Sequence, residues 1–119
     1  MKLMCPISIG EFIDKVTILE IKSRNITDVP ESVFKELNEL YKLHPTIIDK
    51  YHEEFWKLFE INRELWRLIA VQYHKLSDRM PDVVFADVSK RIIILNKLRS
   101  EIKQQLNKDS DLQEVKYFV

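Results

Sequence analysis

Three histidines, one cysteine and a scatter of carboxylates are the residues of this chain whose types could do chemistry. Their spacing argues against most of it. His44, His52 and His74 lie far apart, and no two stand four residues apart on one helical face. Asp49 and His52 make an i, i+3 pair, but a di-metal bundle needs Glu-x-x-His twice. The histidines therefore read as solvated or cap-forming, and no metal is expected. Glu36 and Glu39 form one Glu-x-x-Glu. A magnesium site made of two acidic motifs would need another downstream, and Glu53, Glu54, Glu60 and Glu64 do not make a Glu-x-x-Asp spacing. Solvated helix faces with i, i+4 ion pairs are the simpler reading. Gly10 stands alone, so there is no glycine-rich phosphate loop. Cys5 has no local base to make it a nucleophile. Lys97, Arg99 and Lys103 could hold an anionic small molecule between helices. Trp56 and Trp66 read more readily as core than as a ligand cage. No cofactor is expected.

Composition narrows the class further. A chain of 119 residues is one domain, 1–119. Its 45% hydrophobic and 32% charged content suits a folded soluble protein. One glycine, where about 7% is usual, disfavours tight turns and so favours long helices. Nineteen basic and nineteen acidic residues cancel, leaving no global field to attract nucleic acid. A lone cysteine allows no internal disulfide, and a reducing cytoplasm is the default. Pro6 ends the opening apolar run too early for a secretory core, and no stretch approaches the ~20 apolar residues of a membrane span.

The elements that must position any site follow from periodicity. The stretch 46–76 has no Gly and no Pro. It carries a 3-4 ladder at Ile48, Tyr51, Phe55, Leu58, Asn62, Leu65, Ile69, Gln72 and Leu76. A second set, Trp56, Phe59, Trp66 and Tyr73, flanks it, so this central helix, capped by Thr46, needs partners on two sides. Before it, Ser8-Ile9-Gly10-Glu11 is a capping box that starts a helix over 8–24, with Ile9, Phe12, Ile13, Val16 and Leu19 facing the core. Pro30 in a first turn starts a second helix over 29–43, packing through Val33, Phe34, Leu37, Leu40 and Tyr41 and ended by Pro45. A fourth helix over 82–107 has its ladder at Phe85, Val88, Ile92, Leu95, Arg99, Ile102 and Leu106. The short turn at 77–81 makes the last two helices an antiparallel hairpin. The tail 112–119 alternates like a short strand that can pair with residues 1–7. The expectation is an all-α helical bundle built on that hairpin.

The run from Pro6 to Lys22, PISIGEFIDKVTILEIK, resembles the opening of a family of short uncharacterised bacterial and viral proteins, P-x-S-x-G-E-x-I-D-K-x-T-I-L-E-I-K. The resemblance thins to Asn62 and Trp66, to Asn96, Arg99, Lys103 and Asn107, and to Glu114, Lys116 and Tyr117. Two acidic residues that the family carries after the Trp are Ile69 and Ala70 here, and an Asp after the Asn is Lys97. Such proteins occur near sugar-transfer and cell-surface polysaccharide genes, an association that carries no activity. The capping box accounts for Ser8, Gly10 and Glu11 but not for Asp14, Lys15, Thr17, Glu20 and Lys22. These five, with Asn62, Trp66, Asn96, Arg99, Lys103 and Tyr117, form the candidate binding cluster. No catalytic residue is assigned.

Hairpin register sharpens one part of this. Paired positions sum to about 158, which sets Asn62 level with Asn96 and within about a turn of Arg99. A charge on an apolar seam needs a partner. Neither hairpin helix has a seam carboxylate there, so Asp14 of the first helix, or failing it Glu20 or Glu11, should pair with Arg99. The layer reads either as a structural device fixing register or as part of a ligand site. The function expected is a non-enzymatic adaptor or accessory protein, associating with another protein or as a homodimer through an apolar face of the long helices. The alternative is a small-molecule site, anionic or sugar-nucleotide binding or enzymatic, in a polar pocket among the first, third and fourth helices.

Overall fold

The first helix begins where its cap puts it. The Ser8 hydroxyl accepts from the Glu11 amide at 3.2 Å, and helix α1 runs Ile9–Asn25. The computed structural model describes residues 4–25, 27–75, 81–109 and 115–118, with side chains described for 5–25, 27–72 and 81–108. Ahead of α1, strand β1 (Met4–Ile7) pairs antiparallel with β2 (Val115–Phe118), setting Cys5 opposite Tyr117. The expected strand pair is therefore present and ties the two ends together.

Helix α2 spans Glu31–Leu43, with Pro30 as its N-cap rather than inside its first turn. The residue before a proline is pushed from helical geometry, and His44 accordingly has φ −139° and ψ 71°. Pro45 then takes the first position of a short helix α3 (Pro45–Lys50), where its missing N–H costs nothing. Two expectations are corrected here. Thr46 lies inside α3 and caps nothing. The helix expected over 46–76 is broken at Tyr51 (φ −112°, ψ 36°) and resumes as α4 (His52–Lys75). The change of direction lets Ile47 join the core of Leu37, Leu40 and Phe55. Helix α5 spans Asp82–Asp109. The turn 77–80 and the ladder residue Leu76 lie outside the described residues.

These elements form an all-α bundle. α4 and α5 are antiparallel, since Gln72 bonds Ser89 while Asn62 and Arg99 converge on one carboxylate. α1 crosses this hairpin and α2 packs on α1. All five core positions expected of α1 are buried, as are Phe55, Leu58, Leu65, Leu95 and Leu106 of the hairpin ladders. The flanking aromatics divide. Phe59 is buried, whereas Trp56 and Trp66 are 49% and 37% exposed, because α1 and α5 leave those edges of α4 uncovered. Phe34, expected on the packing face of α2, is 45% exposed, and the ladder residue Ile69 is 54% exposed. No residue in 66–72 or 81–94 is buried, so the far end of the hairpin reaches beyond the core.

Candidate functional site

Asp14 lies one turn past Gly10 in α1, on the same face as Gly10 and Thr17, and that face meets the α4–α5 seam. It is 3% exposed, Thr17 is 0% and Asn62 is 6% exposed. Arg99 grips the carboxylate at two points, Nε to Oδ1 at 2.9 Å and Nη2 to Oδ2 at 2.5 Å. Asn62 donates through Nδ2 to Asp14 Oδ1 at 2.9 Å and to Thr17 Oγ1 at 2.8 Å. The Thr17 hydroxyl donates in turn to the Asp14 carbonyl at 2.6 Å. Lys103 sits 3.8 Å from Asp14 Oδ2 and forms a close ion pair with Glu11. Among the described residues, no buried side-chain nitrogen or oxygen is left without a partner.

Burial pushes the Asp14 carboxyl up. Hydrogen bonds from Arg99 and Asn62, with the charges of Arg99 and Lys103, outweigh it and hold the group below its ordinary value. The bond to Asp14 holds Arg99 protonated more firmly still. A carboxylate held in this way, with two donors on Oδ1 and one on Oδ2, has no tendency to take a proton near neutrality. It joins three helices, α1 through Asp14, α4 through Asn62 and α5 through Arg99.

The structure brings Asp14, Thr17, Asn62, Arg99 and Lys103 together. It does not bring in all the rest. Asn96 stands one residue, or 100°, off the Leu95–Arg99 seam, so it is exposed rather than part of the buried layer. With Trp66 it lines a cavity of about 160 Å³ on one side of Arg99. Lys15 pairs with Glu36 of α2 at 3.3 Å. Together with Lys22, Asp14 and Arg99, that pair lines a groove of about 420 Å³ along α1. Glu20 belongs elsewhere, accepting from the Tyr41 hydroxyl at 2.7 Å and pairing with Arg24 at 3.2 Å. Burial and the bond to Glu20 push the Tyr41 hydroxyl well above its usual value. The Tyr117 side chain lies outside the described residues.

Two contacts were not expected. The Glu11 carboxylate was assigned to the capping box, but it pairs with Lys103 instead. The signal was available: Glu11 is three residues before Asp14, and Lys103 four after Arg99, so both extend the same two faces. Asn107 Oδ1 accepts from the Gly10 amide at 2.8 Å, and a methyl group on Gly10 would lie 2.6 Å from the Lys103 carbonyl oxygen. The glycine permits α1 and α5 to touch backbone to side chain. His44 packs edge-on against Phe12, with ring centroids 5.3 Å apart. The His52 ring lies 3.2 Å from the Asp49 carbonyl oxygen.

Fold and site together define a small helical bundle locked by an internal ionic layer, with a terminal strand pair. Among the described residues, no helix is long and apolar enough to cross a membrane. The chain belongs to a family of unknown function, DUF6165, which it matches over residues 1–116. No curated protein and no solved structure matches it.

Proposed function

We propose that this chain is a non-enzymatic binding protein, an adaptor that docks a protein partner on the uncovered part of its helical hairpin. One observation carries the reading. Residues 66–72 and 81–94 contain no buried position, yet Ile69, Val83, Val84, Ile93 and Ile94 are 44–73% exposed there. Two helices with nothing buried between them and a third layer gain little from packing, and an apolar surface of that kind marks an interaction site. The Asp14 layer supports the same reading, since Asp14, Arg99, Lys103 and Glu11 pair with one another. The lone Cys5 suits a reducing cytoplasm. The resemblance to proteins found near sugar-transfer and surface-polysaccharide genes suggests a partner in such a system.

A second reading rests on the groove along α1. Lys22 is half-buried there and has no ion-pair partner among the described residues. A small anionic ligand, a sugar nucleotide among them, would neutralise it.

A thermal-shift screen against sugar nucleotides and phosphorylated sugars separates the two. A ligand at 100 times its dissociation constant adds about 2.7 kcal/mol of stability. The adaptor reading expects no such shift, together with a change in association when Ile69 or Val83 is replaced by Lys. A clear ligand shift with association unmoved overturns it.

A further inference from the structure

The hairpin has two broad sides. α1 covers one, contributing Asp14 and Thr17 to the seam. The other side carries Ile61 on α4 and Leu98 on α5, with Leu68 and Ile94 on the same two faces by helical spacing, seven residues after Ile61 and four before Leu98, and no element of the described chain lies over it. Ile94 and Leu98 are 49% and 41% exposed. Between α4 and α5 runs a cavity of about 230 Å³, lined by Ile61 and Leu98 with the buried Leu95 beneath.

Shape says that something is missing. A compact monomer of 14.3 kDa exposes about 6,800 Å². This chain exposes 8198 Å². A compact chain of this length has a radius of gyration of about 13.5 Å, against 16.2 Å here. The excess surface exceeds the roughly 800 Å² that each partner gives to a standard interface.

The charges around the cavity say what covers it. Along α4 they read Glu60, Arg63, Glu64, Arg67, an order that becomes its own complement when reversed. Glu60 and Arg63 pair at 2.7 Å, and Glu64 takes two bonds from Arg91 across the groove. Resting on the reading of the hairpin as a docking surface, we infer that its occupant is a second copy of this chain, packed to complete a four-helix bundle. The two-fold axis passes near Glu64 of α4 and Ile94 of α5. Each helix then lies antiparallel to its own copy. Ile61 meets the partner's Leu68, Glu60 faces the partner's Arg67, and Ile94 meets the partner's Ile94 on the axis. Such an isologous contact needs one self-complementary patch, which this face supplies. A foreign partner would have no reason to require the reversible charge order.

The test is light scattering on the purified full chain at about 100 µM, a concentration at which even a modest self-association shows as mass. The expected mass is twice 14.3 kDa. Ile94→Arg sets two like charges on the axis and should give a 14.3 kDa particle with unchanged circular dichroism, since Ile94 is not buried. Glu60→Arg should weaken the dimer about tenfold or more, and Glu60→Arg combined with Arg67→Glu should restore it to within about threefold. A monomeric wild type, a dimer indifferent to Ile94→Arg, or a charge swap that fails to rescue overturns the inference. The adaptor reading falls separately, on a ligand-induced thermal shift with association unmoved, so the two failures can be told apart.

Discussion

Asp14 and Arg99, 85 residues apart in the chain, are joined by two parallel hydrogen bonds of 2.9 and 2.5 Å, and the aspartate is 3% exposed. The pair links the first helix to the last and passes through Asn62 on the helix between them. Removing one partner of a buried pair leaves the other charge without compensation. Arg99 keeps some access to water, its side chain being 28% exposed. Arg99→Met and Asp14→Asn should therefore each lower the unfolding free energy by about 2–4 kcal/mol. The double substitution should cost less than the sum by about 0.5–3 kcal/mol. Urea unfolding of the four proteins measures the cycle, and additive effects would show that the two residues act independently.

Stability should depend on acid through the same carboxylate. The folded-state value of Asp14 is held below the ordinary 3.8. A depressed carboxyl contributes stability that is fully present above its unfolded value and is lost as pH falls through its folded one. From about pH 4 downward the unfolded chain binds more protons than the folded one at this site, so stability falls. Asp14→Asn should be less stable at pH 7 and should lose less on going to pH 3. Parallel pH profiles for the two proteins would remove Asp14 from the acid response.

Gly10 tests how closely the helices approach. In most helix interiors Gly→Ala stabilises by about 0.5–1 kcal/mol. Here the added methyl would meet the Lys103 carbonyl oxygen at 2.6 Å and its Cα at 3.0 Å, and these are backbone atoms that cannot swing aside. Gly10→Ala should destabilise by about 1–3 kcal/mol, the cost of overpacking. A thermal melt showing the usual stabilisation would mean that α5 shifts away freely.

How much of this was legible depends on which physical signal each feature leaves. The start of α1 was readable because a cap and a period agree at Ser8. The Asp14–Arg99 pair was readable because a charge on an apolar seam demands a partner and few were on offer. The break at Tyr51 was not, since a periodicity of 3 and 4 continues across it and no Gly or Pro marks it. Thr46 misled because a good capping residue followed Pro45, whereas the proline itself opens α3. Asn96 misled because a level in the hairpin does not fix an angle, and one residue's rotation takes it from the seam to the surface. The bare side of the hairpin leaves a weaker trace still. Ladders show which positions are apolar but not whether one crossing helix is long enough to cover them.

Asn62 gives the sharpest test of the layer, because two substitutions at one atom should behave oppositely with pH. Its amide nitrogen donates to Asp14 Oδ1 and Thr17 Oγ1 and sits in a site 6% exposed to solvent. Asn62→Leu removes both donors and should cost about 1–3 kcal/mol, with little dependence on pH beyond that of Asp14 itself. Asn62→Asp replaces a donor by a second carboxylate beside the first, and two such groups cannot both stay ionised cheaply. At pH 7 it should be the less stable of the two. As pH falls, one proton shared between the carboxyls rebuilds a donor facing Asp14, so the Asp variant should regain stability while wild type is still unaffected. Urea unfolding of both variants between pH 7 and about pH 5 decides the matter. An Asp variant as stable as wild type at pH 7, or one that weakens steadily with acid, would mean that Asn62 does not hold the Asp14 carboxylate as the geometry requires.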